Sequence, residues 1–267
     1  MDNTSVCLIT GVLLSSLLFA GKGHAWVPGG NGGDVDMGGT ITPSGPVNPW
    51  EVAVGDAVTG LDMVLPAGGT VGRYRLKQSM PVLGIRTTTG RNDTFAGETA
   101  GGIAPQITYS GVLPGVREYG RIPLALAVTR ADDGTPLGVL HLSLMCGAEV
   151  SQKDPVTNTG RRYSVWAGQA GEAFYGGIAR TPDEAMEYAF MEVESAFAEY
   201  VLRYNTQGLM GRPGMKQSVT LRDAGMRYSG FYGAFLAQGD EIVLQTESVP
   251  AARVTWKANL TVAVEYW

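Results

Sequence analysis

From residue 50 onward, glycine, proline and aspartate cut most of the chain into short runs in which apolar and polar residues alternate. A period of two sends successive side chains to opposite faces, so these runs read as half-buried strands. Candidate strands cover residues 50–54, 72–76, 107–109, 122–129, 138–146, 231–236, 241–247, 253–256 and 260–267. Residues 124–129 and 137–145 flank Ala131-Asp132-Asp133-Gly134-Thr135, whose aspartates and glycine supply turn geometry, and this predicts a hairpin. Many short strands divided by turn signals predict a mainly β fold, a sandwich or a barrel.

One segment departs from that pattern. Thr181-Pro182-Asp183-Glu184 carries a capping residue, a first-turn proline and acids placed for the positive end of a helix dipole. Met186, Ala189, Phe190, Val193, Phe197, Tyr200, Val201 and Tyr204 then recur at helical spacing, with Glu184, Glu187, Glu192, Glu194 and Glu199 on the remaining arc. The spacing predicts one inserted amphipathic helix over about residues 181–205, with Gly208 beyond its end. Tyr188, Met191 and Leu202 fall on the acidic side. They mark a contact surface or belong to the scattered apolar residues that any protein surface carries.

The two ends are the most informative parts. Val6 to Ala20 is an uncharged, mostly apolar run too short to span a bilayer comfortably, and Gly23-His24-Ala25 has the small residues that signal peptidase requires. Residues 1–25 are therefore expected to be a signal peptide, although Asp2 stands where positive charge is usual. Residues 26–46 read as an extension, with Gly29-Gly30-Asn31-Gly32-Gly33 and Thr42-Pro43-Ser44-Gly45-Pro46 as flexible hinges. Between the hinges Val35, Met37, Gly39 and Ile41 alternate with Asp36, Gly38 and Thr40, a strand pattern that a linker does not need. At the other end Leu260, Val262, Val264 and Tyr266 alternate with Thr261, Ala263 and Glu265, and the strand finishes on Trp267. A complete immunoglobulin-like sandwich would have one more strand there, so a surplus strand at one end faces a missing strand at the other.

Bulk properties exclude several classes. A net charge of −5 with no basic run gives no nucleic-acid footprint. No later segment is long and apolar enough to cross a membrane as a helix. Cleavage after Ala25 removes Cys7 and leaves Cys146, so no internal disulfide is expected and Cys146 reads as a buried thiol. His141 is then the one histidine, set in a strand pattern, and no nucleophile-elbow motif accompanies it. One histidine and one cysteine cannot supply a zinc site, and Asp132-Asp133-Gly134 reads as a turn rather than a calcium loop. No catalytic residues, metal or cofactor are expected.

The order of certain segments resembles the FaeG-like family of chaperone–usher fimbrial subunits. They are Trp26, Gly33-Asp34-Val35-Asp36-Met37-Gly38-Gly39-Thr40-Ile41-Thr42, Trp50-Glu51-Val52, Pro105-Gln106-Ile107, Phe174-Tyr175-Gly176-Gly177 and Val262-Ala263-Val264-Glu265-Tyr266-Trp267. They run in order along nearly the whole chain after residue 25. Similarity between them is thin, which points to a minor or divergent member. The resemblance implies an incomplete immunoglobulin-like sandwich lacking its last strand, over residues 47–267. It implies a periplasmic chaperone that fills the gap and grips the C-terminal strand, and an outer-membrane usher where a neighbouring subunit's extension replaces the chaperone strand. Strand addition of this kind uses backbone hydrogen bonds for affinity and pockets for alternate side chains. Val35, Met37, Gly39 and Ile41 would be the donor positions. Leu260, Val262, Val264 and Tyr266 would line the acceptor groove, with the Trp267 carboxylate anchored to the chaperone. The implied destination is export through the periplasm to a surface fimbrium that contributes to cell adhesion. The family also includes adhesins that bind host glycans. Arg161, Arg162, Tyr163 and Trp166 place an aromatic face beside guanidinium donors, a combination that suits a sugar, though burial of Tyr163 and Trp166 under the helix explains them equally well.

Overall fold

The computed structural model describes residues 48–99, 101–211 and 214–267. The strands are β1 (Trp50–Val54), β2 (Val71–Arg75), β3 (Met80–Thr87), β4 (Phe95–Ala96), β5 (Pro105–Tyr109), β6 (Arg121–Arg130), β7 (Pro136–Lys153), β8 (Gly160–Val165), β9 (Lys216–Gln217), β10 (Arg227–Leu236), β11 (Glu241–Thr246), β12 (Trp256–Ala258) and β13 (Val262–Tyr266). The expected hairpin is β6 and β7. The Asp133 carboxylate accepts from Thr135 N–H across its turn.

β7 is the spine. At 18 residues it is long enough to serve two neighbourhoods in turn. Its first half pairs with β6 on one side and β11 on the other, and its second half pairs with β10 and β8. The main sheet runs β1-β3-β10-β7-β11-β2, with β6, β8, β4, β9 and β12 attached off that path. β13 and β5 form a separate two-stranded ladder. The architecture is a mainly β, immunoglobulin-like sandwich with a helical insertion.

Alternation explains the first half of β7 and its neighbours. Ile122, Leu124, Leu126 and Val128 of β6 and Ile242 and Leu244 of β11 point into one core, and the residues between them face outward. The second half of β7 and nearly all of β10 are buried on both faces. One face meets the sandwich core through Cys146, Ala148, Val150, Tyr232 and Ala234. The other meets the insertion through Met145, Phe231 and Phe235. Burial pushes the Cys146 thiol up to about 12, in keeping with an inert buried residue.

The expected six-turn helix is shorter and broken. The helical residues are α1 (Ala189–Ala196) and α2 (Ala198–Val201), separated by Phe197 at φ −149° and ψ 86°. The capping signal at 181–184 closes a turn instead: the Glu184 carboxylate accepts from Arg180 N–H, and Ala185 N–H donates to Pro182 O. Glu184 O accepts from Gly120 N–H and Met186 is buried, so this stretch is tied down onto the protein rather than free to extend the helix axis. The apolar positions at helical spacing do face the protein. Val193, Tyr200, Val201 and Tyr204 are all buried.

The insertion sits close because the sheet beneath it is bare. Gly233 of β10 is directly opposite Gly84 of β3 on one side and Gly147 of β7 on the other. A Cβ on Gly84 would come within 2.5 Å of the Tyr200 ring, one on Gly147 within 2.7 Å of Met186 Sδ, and one on Gly233 within 2.6 Å of Val193 Cγ1. Three adjacent strands thus present a strip without side chains. Gly233→Val should cost about 1–3 kcal/mol through overpacking and lower the melting temperature by several degrees. A variant melting with the parent would show that the insertion does not depend on this strip.

Candidate functional site: an apolar groove beside the C-terminal strand

Among the described residues β13 is paired on one edge only. Its partner is β5, from Val262 opposite Tyr109 to Tyr266 opposite Pro105. Ser110 N–H to Thr261 O extends the ladder at one end. Two bonds between Trp267 and Ala104, each 3.1 Å and one in either direction, extend it at the other. Among the described residues no strand pairs with its second edge. Val262, Val264 and Tyr266 are half-buried and touch the core, while Ala263 and Glu265 are exposed.

Beside this edge lies a groove of about 1330 Å³. Its floor is apolar, with Leu126, Leu140, Leu142, Leu236, Ile242 and Leu244 contributed by β6, β7, β10 and β11. One wall is residues 252–260 and Val262. The other is residues 54–68, in which Leu61, Met63 and Leu65 are half-buried while Asp62 and Val64 are exposed. This wall has the alternation of a strand but no ladder. Gly55 N–H bonds to Val82 O before it and Gly69 N–H to Pro66 O after it, with no backbone pairing between them among the described residues. The groove therefore has an apolar floor and, among the described residues, backbone edges without a ladder partner on both sides, a geometry suited to an extended strand.

Of the five acceptor residues read from the sequence, Leu260 and Val262 line the groove. Val264 and Tyr266 continue the same half-buried face further along β13, and Trp267 is half-exposed with its main chain held by Ala104. The wall at 54–68 was missed. Its period-two signal at 61–65 is present in the sequence but is masked by the glycines, proline and aspartates around it. Val35, Met37, Gly39 and Ile41 lie outside the described residues.

Of the segments quoted above, those within the described residues converge behind β13, while Trp26 and residues 33–42 lie outside them. Trp50 Nε1–H donates to Ile103 O at 2.6 Å, and its ring packs edge-on against Phe95 and Phe174 at 5.3 and 5.4 Å. Phe174 N–H donates to Pro105 O, and Ile107 N–H to Tyr175 O. The buried Gln106 amide donates to Glu172 O and accepts from Gly171 N–H. Gly176 has φ +84°, and a Cβ there would lie 2.0 Å from Ile107 O, so only glycine permits this contact. Tyr232 O–H donates to Gly177 O, which leaves its oxygen to accept from Tyr109 O–H at 2.7 Å. The Arg117 guanidinium donates to the Gly176 and Ile178 carbonyls, and burial lowers its pKa. Together these contacts fix β5, and β5 is the strand that pairs with β13 among the described residues.

The residues considered for a glycan do not form one face. Tyr163 is buried and its O–H donates to Gln152 Oε1. Arg162 points to the opposite side of β8, where Nε pairs with the buried Glu149 at 2.6 Å and the guanidinium lies over the Phe190 and Tyr204 rings. Arg161 is exposed and Trp166 half-exposed. Neighbours along a strand point to opposite faces, so Arg162 and Tyr163 could not share a surface. His141 is exposed on β7. Among the described residues no group of three His, Cys, Asp or Glu side chains is placed to hold a metal ion.

Known proteins place this geometry in context. The family described as "Fimbrial, major and minor subunit" matches residues 5–267. The chain is similar to K88 fimbrial protein AB of Escherichia coli, at 26% identity over 93% of this chain and 95% of that protein. It is similar to K88 fimbrial protein AC of Escherichia coli at 26% with the same coverage. It is similar to the F41 fimbrial protein of Escherichia coli at 26% over 89% of this chain and 90% of that protein. The chain therefore belongs to the K88 fimbrial family and is a fimbrial subunit, a protein that works in association with other fimbrial subunits.

Proposed function

We propose that this subunit polymerises by strand exchange, with residues 34–42 of one copy entering the groove beside β13 of the next. The observation that carries the reading is the groove itself, with its apolar floor and, among the described residues, an unpaired backbone edge on either side. An inserted strand pairs along β13 and along residues 54–66, and its alternate side chains reach the floor. Val35, Met37 and Ile41 supply those side chains, each contributing about 1.5–3 kcal/mol on full burial before ordering costs. Gly39 takes a position with no depth to fill.

Residues 1–25 act as a signal peptide, residues 26–46 as the extension that carries the donor, and residues 47–267 as the acceptor domain. In the periplasm a chaperone strand covers the groove floor, because an exposed apolar surface of this extent would otherwise drive aggregation. The same chaperone grips β13 and the Trp267 carboxylate, and an outer-membrane usher exchanges its strand for the next subunit's donor. Assembly delivers the chain to a surface fimbrium, through which it contributes to adhesion.

Deleting residues 34–42 should leave a subunit that still binds its chaperone but passes no strand to a neighbour. Incorporation of the deleted chain into fimbriae at the normal level would overturn the reading. Changing Val264 and Tyr266 together to aspartate should abolish chaperone co-purification and lead to periplasmic degradation, since two carboxylates would be carried against the core. Undiminished co-purification would mean that β13 is not the chaperone's handle. Direct glycan recognition has only Arg161 and Trp166 left to rest on, because Tyr163 and Arg162 are engaged inside. A glycan array bound by the parent and lost on Trp166→Ala would assign this subunit a sugar site. An array blank for the parent would assign it a scaffold role.

A further inference from the structure

The charge of this chain is unevenly placed. Residues 181–205 carry six carboxylates against the single Arg203, which accounts for the whole net charge of −5. Asp183, Glu187, Glu192 and Glu194 make no ion pair among the described residues. Apolar groups stand among them: Tyr188 is 40% and Met191 63% exposed. Tyr119, in the left-handed region at φ 50°, lays its O–H on the Glu192 carboxylate at 3.1 Å. Burial, with Glu192 and Glu187 close by, pushes Tyr119 up to about 12. Two tyrosines and a methionine ringed by glutamates form a surface suited to a partner that brings cations.

The chain also has the complement. At the far end of β7, Lys153 stands directly opposite Arg227 of β10, so the two cations leave the sheet on the same face, while Arg161 of β8 lies opposite Gln152 and leaves it on the other. Like charges facing each other across a ladder destabilise it unless a counter-charge is supplied. None of the three has a carboxylate within 4.0 Å among the described residues; Lys153 Nζ donates only to Gln207 O. Within one molecule the two patches are rooted apart. Glu187 is bonded through its main-chain oxygen to Ser164, which is opposite Glu149, four residues short of Lys153. Ala189 and Val193 lie over Gly147, six residues short. At about 3.3 Å per residue these are about 13 and 20 Å of main chain, and no carboxylate of the insertion pairs with Lys153 or Arg227 among the described residues.

We infer that the acidic-aromatic face of the insertion (Tyr119, Tyr188, Met191, Glu187, Glu192) docks the basic pair at the end of the sheet (Lys153, Arg227) of a second copy of this chain. The occupant follows from charge complementarity and from the fimbrial setting, in which copies of such subunits lie against one another. Because the two patches differ, the contact is head-to-tail and repeats without closing, which is the symmetry of a filament. It is separate from the groove and does not depend on strand exchange.

The test uses the full-length chain and sedimentation velocity at low and high salt. Glu187→Lys with Glu192→Lys, and separately Lys153→Glu with Arg227→Glu, should each weaken self-association at low salt by at least about tenfold. High salt should do the same to the parent. An equal mixture of the two variants should restore association, since the reversed acidic face of one then matches the reversed basic end of the other. Near-ultraviolet circular dichroism checks that each variant is folded. If one is not, Tyr188→Ser with Met191→Ser replaces it and should weaken association without changing the salt dependence. Detergent-resistant polymers should form in every case, which separates this contact from strand exchange. Folded variants that associate like the parent, or a mixture that stays dispersed, would overturn the proposal.

Discussion

Among the described residues β13 is a strand with one neighbour, and the elements around it are arranged accordingly. A strand needs partners for the amide and carbonyl groups on both edges, and its half-buried side chains need cover. β5 supplies one edge, from Ser110 to Ala104. The other edge borders a groove with a leucine and isoleucine floor. Such an arrangement stays in place only if β5 is immobile. The Trp50–Phe174–Tyr232 ring stack, the fully bonded Gln106 amide, and the close approach of Gly176 to Ile107 all act on β5 or on the loop against it. The protein is rigid immediately behind the site and unpaired immediately in front of it.

That division explains which parts were legible in the sequence. Strands buried on one face, such as β6, β11 and β13, advertise themselves by alternation. β8 does not, because its outward turn at Gly160-Arg161-Arg162 looks like loop and its burial begins only at Tyr163. β3 is hidden by Pro81 and Gly84, residues that depress strand propensity, and the glycine is there to make room for Tyr200. The helix was found but overextended, since its apolar spacing records which residues face the sheet and says nothing of the break at Phe197. The groove was half legible: β13 through its pattern, the opposite wall not. A wall that lacks a ladder has few of the local signals by which strands are recognised.

The segments that carry the family likeness gain a physical reading. Trp50, Pro105-Gln106-Ile107, Phe174-Tyr175-Gly176-Gly177 and the C-terminal strand are far apart in the chain, yet they meet in one junction. Sheet surfaces elsewhere can exchange one apolar residue for another of similar volume at modest cost. A junction built from an edge-on ring contact, a fully satisfied amide and a glycine lodged 2.0 Å from a carbonyl cannot.

The insertion follows a different logic. It is bound to the sheet by what the sheet lacks, a strip of Gly84, Gly233 and Gly147, and by one buried ion pair, Arg162 with Glu149, to which Tyr204 O–H also donates. Removing either charge would leave the other buried without a partner, so the pair holds Arg162 inside whatever else β8 does. The outer face of the insertion is under no such demand, and it carries the entire net charge of the chain. A strand entering beside β13, as proposed, would join one subunit to the next through apolar depth and backbone bonds, which salt would scarcely affect. Contacts through the insertion would be made of exposed charges and would respond to salt. A fibre using both would keep its continuity while its packing adjusted to the surroundings, because the two contacts are made by different faces and different forces.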